Sequence, residues 1–80
     1  MQIGEAIRLR VLELCAERNI TVNKLSTMAG ITQSTLSNII SGRNKSATVS
    51  TVKKICDALE ITINEFFDAK FFQELEQELR

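Results

Sequence analysis

The segment Thr21–Gly42, TVNKLSTMAGITQSTLSNIISG, gives the clearest indication of the fold of this 80-residue chain. Its first half spaces apolar side chains as an amphipathic helix does: Val22, Leu25, Met28 and Ala29. Gly30 then interrupts the pattern, and a second short helix is expected to begin after Thr32, whose hydroxyl is a typical N-cap. The segment therefore predicts two short helices joined by one tight turn.

The second predicted helix has two unlike faces. At about 100° per residue, one arc collects polar side chains: Gln33, Ser34, Ser37, Asn38 and Ser41. Thr35, Leu36 and Ile39 fall on the opposite side, where we expect packing. Short amides and hydroxyls on a helix can pair with base edges in the major groove of DNA. An ordinary solvent-exposed helix face has the same composition, so the polar face alone does not distinguish a DNA-binding surface from plain solvated surface.

Three neighbouring features favour DNA binding. Ala29 and Gly30 are small residues at the turn, apolar residues occupy the packing side of both helices, and a basic loop follows directly, Arg43-Asn44-Lys45. The N-terminus of the helix that begins at Val22 offers free N–H groups to a phosphate. Together these features predict a helix-turn-helix.

Three parts of the sequence match a known pattern: Leu25, the run from Ala29 to Ser37, and Ser41-Gly42-Arg43. They resemble the phage-repressor/Cro-type (xenobiotic-response-element) helix-turn-helix family of bacterial regulators. The resemblance continues through residues 48–49, 52–59 and 61–67, and covers about residues 3–67. It implies five helices, of which the third contacts DNA. It also implies base contacts from Thr32, Gln33, Ser34 and Asn38, with Ser37 on the same face. Many relatives begin the helix before the base-contacting one with a glutamine that contacts the DNA backbone, whereas this chain has Val22 at that position.

The candidate phosphate contacts are Thr21, Asn23, Arg43, Asn44 and Lys45. Thr21 is expected to cap the helix that begins at Val22, and the free backbone amides of its first turn suit an anion. The basic loop would lie over the flanking DNA backbone, because it follows the base-contacting helix directly.

The charge is divided along the chain, although the net charge is zero. Residues 1–54 carry eight Lys/Arg and three Asp/Glu, and residues 55–80 carry two and seven, so a +5 part adjoins a −5 part. We interpret the basic part as the surface that faces phosphate and the acidic part as turned away from it. Chance asymmetry in a short chain is the alternative interpretation.

The remaining helices are predicted from periodicity and caps. Helix one is expected from Ile3 to Arg18, ended by Asn19 in the left-handed conformation. A fourth helix starts after Thr48, and residues 62–65 form a capping box. The predicted core positions in these elements are Ile3, Ile7, Val11, Leu14, Cys15, Val49, Val52, Ile55, Cys56, Leu59, Ile63, Phe66 and Phe67.

Both cysteines lie on apolar stripes and form no Cys-x-x-Cys pair, and the chain has no histidine. We therefore expect core thiols, no metal and no cofactor. An enzyme is not expected either, since there is no phosphate-binding glycine loop and no base to activate the hydroxyls.

Residues 1–67 are predicted to form the DNA-binding domain, and residues 68–80 an acidic amphipathic extension. Phe71, Phe72, Leu75 and Leu79 form its apolar stripe. The stripe has three candidate uses: packing back on the domain, a dimer contact, or docking to another protein. We expect the dimer contact, because a small domain gains stability from it and two-fold operators need two recognition helices.

The sequence thus predicts an all-α, five-helix repressor-like domain with a helical C-terminal extension. We expect a cytoplasmic transcriptional repressor that binds a palindromic double-stranded operator as a homodimer. No membrane span and no ligand-sensing domain are expected. The alternative is a protein-interaction or antitoxin-like module that keeps the fold without binding DNA.

Overall fold

The computed structural model describes residues 1–41 and 47–77, and every element in these ranges is helical. The helices are α1 (Ile3–Arg18), α2 (Val22–Ala29), α3 (Gln33–Ser41), α4 (Val49–Leu59) and α5 (Ile63–Phe66), followed by a 3-10 helix (Lys70–Glu74). The predicted all-α, five-helix fold with a helical extension is confirmed, and α1 has the predicted bounds. No helix in the described ranges is long and apolar enough to cross a bilayer.

One three-residue turn is used at three helix junctions. A residue with positive φ ends the helix, an isoleucine follows, and a threonine caps the next helix: Asn19-Ile20-Thr21, Gly30-Ile31-Thr32 and Glu60-Ile61-Thr62. Each isoleucine N–H donates to a carbonyl five residues earlier, at 3.0, 3.1 and 3.0 Å. These are Schellman-type ends, which satisfy carbonyls that the helix itself leaves unpaired. Each isoleucine also packs against the core, which fixes the direction of the next helix.

The predicted threonine caps are all present. The side-chain oxygens of Thr21, Thr32, Thr48 and Thr62 each accept the N–H three residues on, at 3.0 to 3.1 Å. At Thr62 the Glu65 carboxylate also accepts the Thr62 N–H at 2.9 Å, which completes the capping box. This bond holds the pKa of Glu65 below its usual range. Each cap stabilises its helix by about 1 kcal/mol.

The core collects the apolar stripes of all five helices: Ile7, Val11, Leu14, Cys15, Leu25, Leu36, Ile39, Val52, Ile55, Cys56, Leu59 and Phe66. Ile3 packs at its edge. Both predicted core thiols are buried and free, and burial raises the pKa of each. Among the described residues, no group of His, Cys, Asp and Glu is placed to hold a metal ion.

Three predicted core positions are wrong. Val49 is 77% exposed, Ile63 39% and Phe67 36%. Val49 continues the α4 stripe, but it is the first residue of that helix and lies beyond its packed neighbours. The helix α5 is a single turn of four residues, so only Phe66 can point into the core.

Arg10 joins α1 to the end of α5. Its Nε donates to the Phe66 carbonyl at 2.6 Å, and a terminal nitrogen donates to the Glu65 carbonyl at 2.7 Å. The other terminal nitrogen pairs with Glu13. A guanidinium at this position satisfies C-terminal carbonyls and opposes the negative end of the helix dipole.

The extension packs back on its own domain. Phe72 contacts the core, and its ring centroid lies 6.2 Å from that of Phe66 and 4.9 Å from that of Phe67. The Glu76 N–H donates to the Met1 carbonyl at 2.9 Å, and the Glu76 carboxylate pairs with the Met1 ammonium at 3.1 Å. Packing back was one of the three predicted uses of this segment. Leu79 lies outside the described residues.

The apolar stripe does not continue α5 as one α-helix. Phe67 ends that helix with φ −87° and ψ 4°, and Ala69 is extended at φ −148° and ψ 146°. The chain therefore changes direction between the two elements, and the short 3-10 helix lays Phe72 on the core.

Candidate nucleic-acid interface

The turn between α2 and α3 sets the direction of α3. Gly30 takes φ 68°, which suits a residue without a side chain, and its N–H bonds back to the end of α2. Leu36 and Ile39 are 0% and 5% exposed and hold one side of α3 in the core. The opposite side of α3 therefore faces outward, as the periodicity predicts.

The predicted base-contacting side chains lie on this outer side. Thr32, Gln33, Ser34 and Ser37 are exposed, and Asn38 is half-buried. All of them except Thr32 belong to α3. The structure thus brings the amide and hydroxyl groups together on one helical surface, which we call the polar face of α3: Gln33, Ser34, Ser37, Asn38 and Ser41.

A shallow groove of about 180 Å³ runs between α2 and α3. Val22, Asn23 and Ser26 line it from α2, and Gln33, Leu36, Ser37, Ile40 and Ser41 line it from α3. The groove brings Asn23, a predicted phosphate contact, beside the predicted base contacts Gln33 and Ser37. Val22, which replaces the glutamine of many relatives, is half-buried here and forms part of the apolar lining.

Two of the predicted contact residues also act as caps. The Thr32 oxygen accepts the Thr35 N–H at 3.1 Å, and its hydroxyl donates to the Thr35 hydroxyl at 2.8 Å. The Thr21 oxygen accepts the Lys24 N–H at 3.0 Å. These side chains fix the first turns of the two helices, so any DNA contact that they make is shared with capping.

The polar face of α3 contains no charged residue. On α2, Lys24 is exposed next to the Thr21 cap. Lys53 on α4 pairs with Asp57 one turn on, which raises the pKa of the Lys53 ammonium, whereas Lys54 is exposed. The predicted phosphate contacts Arg43, Asn44 and Lys45 lie outside the described residues, as does Gly42.

Sequence reasoning missed one residue at this site. The Arg8 Nε donates to the Ile40 carbonyl at 2.8 Å, in the last turn of α3. The two residues are 32 positions apart in the chain, so helical periodicity carries no signal for this bond.

Three comparisons with known proteins found similar sequences and a similar fold. Residues 10–71 match the model of the Cro/C1-type helix-turn-helix DNA-binding domain. The chain is 38% identical over 55 residues to the uncharacterized HTH-type transcriptional regulator YozG of Bacillus subtilis (strain 168), covering 69% of this chain and 66% of that relative. It therefore spans just under two thirds of that relative's length.

The fold is also similar to a solved structure. The crystal structure of the prophage Lp1 protein 11 superposes with a TM-score of 0.82 at 36% identity. The match covers 94% of this chain and 100% of the other.

Proposed function

Because this chain belongs to the family of Cro/C1-type helix-turn-helix DNA-binding domains, we propose that it is a sequence-specific transcriptional regulator, and specifically a repressor, that inserts α3 into the major groove of double-stranded DNA. The observation that carries this proposal is the two-sidedness of α3. Its apolar residues Leu36 and Ile39 are buried, while Gln33, Ser34 and Ser37 are exposed. A base-contacting helix needs both properties at once, since it must be held rigidly and still present hydrogen-bonding groups.

We assign base contacts to Thr32, Gln33, Ser34, Ser37 and Asn38. The Gln33 side chain is the strongest candidate for specificity, because an amide can donate to and accept from adenine at the same time. Such a bidentate pair contributes about 1–3 kcal/mol of discrimination against the wrong base.

We assign phosphate contacts to Thr21, Asn23, Arg43, Asn44 and Lys45. Their role is to position the protein along the duplex, and they do not select its sequence. Because α3 is uncharged, most of the salt-dependent affinity would come from these flanking groups.

The proposed assembly is a homodimer that acts on DNA in the cytoplasm. Residues 1–67 would bind one half-site, and the two recognition helices would enter major grooves about 34 Å apart on a palindromic operator. If the dimer neutralises about 6–10 phosphates, its affinity falls about 10³–10⁵-fold between 50 and 200 mM salt.

Selection of binding sites from random duplexes, with native mass measurement of the bound species, tests the operator, its symmetry and the stoichiometry together. A palindromic consensus bound by two chains is the expected result. Failure to enrich any sequence, with equal affinity for all duplexes at low salt, would contradict sequence-specific binding.

Three variants then test the residue roles. Gln33→Ala should lose discrimination at one base position, and Lys45→Ala should weaken binding to operator and random DNA alike. Gln73→Ala is the matched control, because it removes the same side chain from an exposed position on the 3-10 helix. Equal losses of Gln33→Ala on operator and random DNA would contradict its assignment.

A second candidate function rests on a different surface. Ile63 and Phe67 are 39% and 36% exposed, and with Asn64, Glu65 and Asp68 they line a shallow groove. A groove with two exposed apolar side chains and an acidic rim would suit a protein-interaction or antitoxin-like module. A co-purifying protein that is lost on Phe67→Ser, together with no retention on DNA at low salt, would favour it over the regulator.

A further inference from the structure

Arg8 anchors the far end of the recognition helix. The carbonyls of the last turn of a helix have no partner within that helix, and Ile40 lies in the last turn of α3. The Arg8 Nε donates to this Ile40 carbonyl at 2.8 Å, in a partly buried bond. The guanidinium charge also opposes the negative end of the α3 dipole. Within the described ranges, Arg8 is the one side chain from another helix that hydrogen-bonds to α3.

The other restraints on α3 are its N-terminal cap and the packing of its apolar side chains, which include Ile39 and Ile40 in the last turn. The Thr32 cap holds its first turn, and Leu36 and Ile39 hold its buried side. Arg8 adds a hydrogen bond from α1 to the backbone of the last turn, where packing alone leaves the Ile40 carbonyl without a partner from the helix. The Ile40 side chain lines the same groove as Gln33 and Ser37, so a tilt of α3 at Ile40 would also move those two side chains.

We infer that Arg8 is a positioning residue for sequence discrimination: by holding the C-terminal end of α3 against α1, it sets the angle at which the polar face meets the base edges. This inference rests on the proposed function. Hydrogen bonds to base edges weaken steeply with distance and angle, whereas contacts between a charged group and phosphate tolerate small displacements. Loss of the anchor should therefore reduce specificity more than overall affinity.

The first measurement is the ratio of dissociation constants for the selected operator and for random duplex, as a function of salt. For Arg8→Met we expect this ratio to fall about tenfold, the effect of one net charge-assisted hydrogen bond. The dependence of log affinity on log salt should keep its slope. Arg8→Lys should recover part of the ratio, because an ammonium can still donate to the Ile40 carbonyl.

Arg18→Met is the matched control. It removes the same charge from the same helix at an exposed position in the last turn of α1, and it should leave the ratio unchanged. If Arg8→Met does not fold, Arg8→Gln is compared instead: it removes the charge and keeps a donor, so the ratio should fall by less than tenfold.

The second measurement is amide hydrogen exchange without DNA. In Arg8→Met, the amides of residues 38–41 should exchange about tenfold faster relative to those of α4. If the exchange rates in α3 do not change, Arg8 does not hold the C-terminal end of α3, and the inference is wrong whatever the DNA measurement shows. Faster exchange in a protein that prefers no sequence would contradict the proposed function and leave the anchor standing.

Two DNA results would also overturn the inference. An unchanged ratio with faster exchange would limit Arg8 to a stabilising role. Equal losses on operator and random DNA, with a salt slope lower by about one per site, would make Arg8 a phosphate contact instead.

Discussion

The shared helix junction predicts opposite effects on the stability of the fold for two substitutions at equivalent positions. Gly30 and Glu60 both end a helix in the left-handed region, at φ 68° and 57°. A Cβ atom at Gly30 would have no neighbouring heavy atom within 4 Å outside the adjacent residues, so Gly30→Ala adds no clash. The free-energy change of that variant therefore reports backbone effects in the folded and unfolded states and no side-chain clash.

Two terms set its magnitude. An L-residue in the left-handed region costs about 1–2 kcal/mol. Replacing glycine also lowers the entropy of the unfolded chain, which returns about 0.4–1 kcal/mol. We therefore expect Gly30→Ala to destabilise the fold by about 1 kcal/mol, equivalent to about 4–8 °C in Tm for a domain of this size.

Glu60→Gly should change stability by a similar amount in the other direction, because it removes the same strain from the end of α4. The Glu60 side chain is exposed, and the structure records no hydrogen bond or ion pair for it within the described ranges. Glu60→Ala is the matched control, since it removes the side chain but keeps the strained backbone, and it should stay within about 0.5 kcal/mol of the parent.

Urea unfolding followed by circular dichroism at 222 nm measures all three variants, since the chain has no Trp or Tyr for intrinsic fluorescence. The m-values should match the parent, so that midpoints report stability. The reasoning is refuted if Glu60→Gly is neutral or destabilising, or if Gly30→Ala leaves the midpoint unchanged.

Three further predictions concern contacts outside the recognition helix. Arg10→Met should destabilise by about 2–3 kcal/mol because it leaves the Phe66 carbonyl unpaired, whereas Glu13→Gln should cost less than about 1 kcal/mol; urea unfolding compares them. The pKa of Glu65 is lowered in the fold, so its contribution is present above the usual value of 4.5 and is lost as pH falls through the folded pKa. Glu65→Gln should therefore flatten the loss of stability between about pH 5 and pH 3. Phe72→Ala should cost about 1–2 kcal/mol, less than a fully buried phenylalanine because Phe72 is half-buried, and thermal unfolding measures the change.

The helix boundaries were largely predictable from short-range chemistry. The Thr21, Thr32, Thr48 and Thr62 hydroxyls cap helices as predicted, and Asn19 takes the predicted left-handed conformation. Capping depends on neighbours within four residues, so the sequence contains all the partners. The repeated turn has a sequence signal too, since an Ile-Thr pair recurs at residues 20–21, 31–32 and 61–62.

The ends of the core were not predictable in the same way. A stripe of apolar residues shows which side of a helix packs, but it does not show how far the neighbouring helices extend. Val49 is on the correct stripe and still lies beyond its neighbours, and Phe67 lies past the single turn of α5. The Arg8 and Arg10 bonds join residues 32 and 56 positions apart, which no local pattern records.

For the candidate site, the periodicity of α3 correctly predicted most exposed and buried side chains, whereas Thr35 and Asn38 are both half-buried. Leu36 and Ile39 are buried, and Gln33, Ser34 and Ser37 are exposed. Which of these side chains contacts which base depends on the duplex as much as on the protein, so those assignments stay predictions.

Apart from Thr32, which caps α3 and is also an assigned base contact, the residues that hold α3 differ from those that would select DNA. The position of α3 depends on Leu36, Ile39, the Thr32 cap and the Arg8 bond to Ile40, none of which uses the exposed amides and hydroxyls of the polar face. Exposed positions of this kind usually change stability by less than about 0.5 kcal/mol when substituted. A bidentate base contact contributes about 1–3 kcal/mol of discrimination. Substitutions on the polar face can therefore change the preferred DNA sequence while the helix that presents them stays in place.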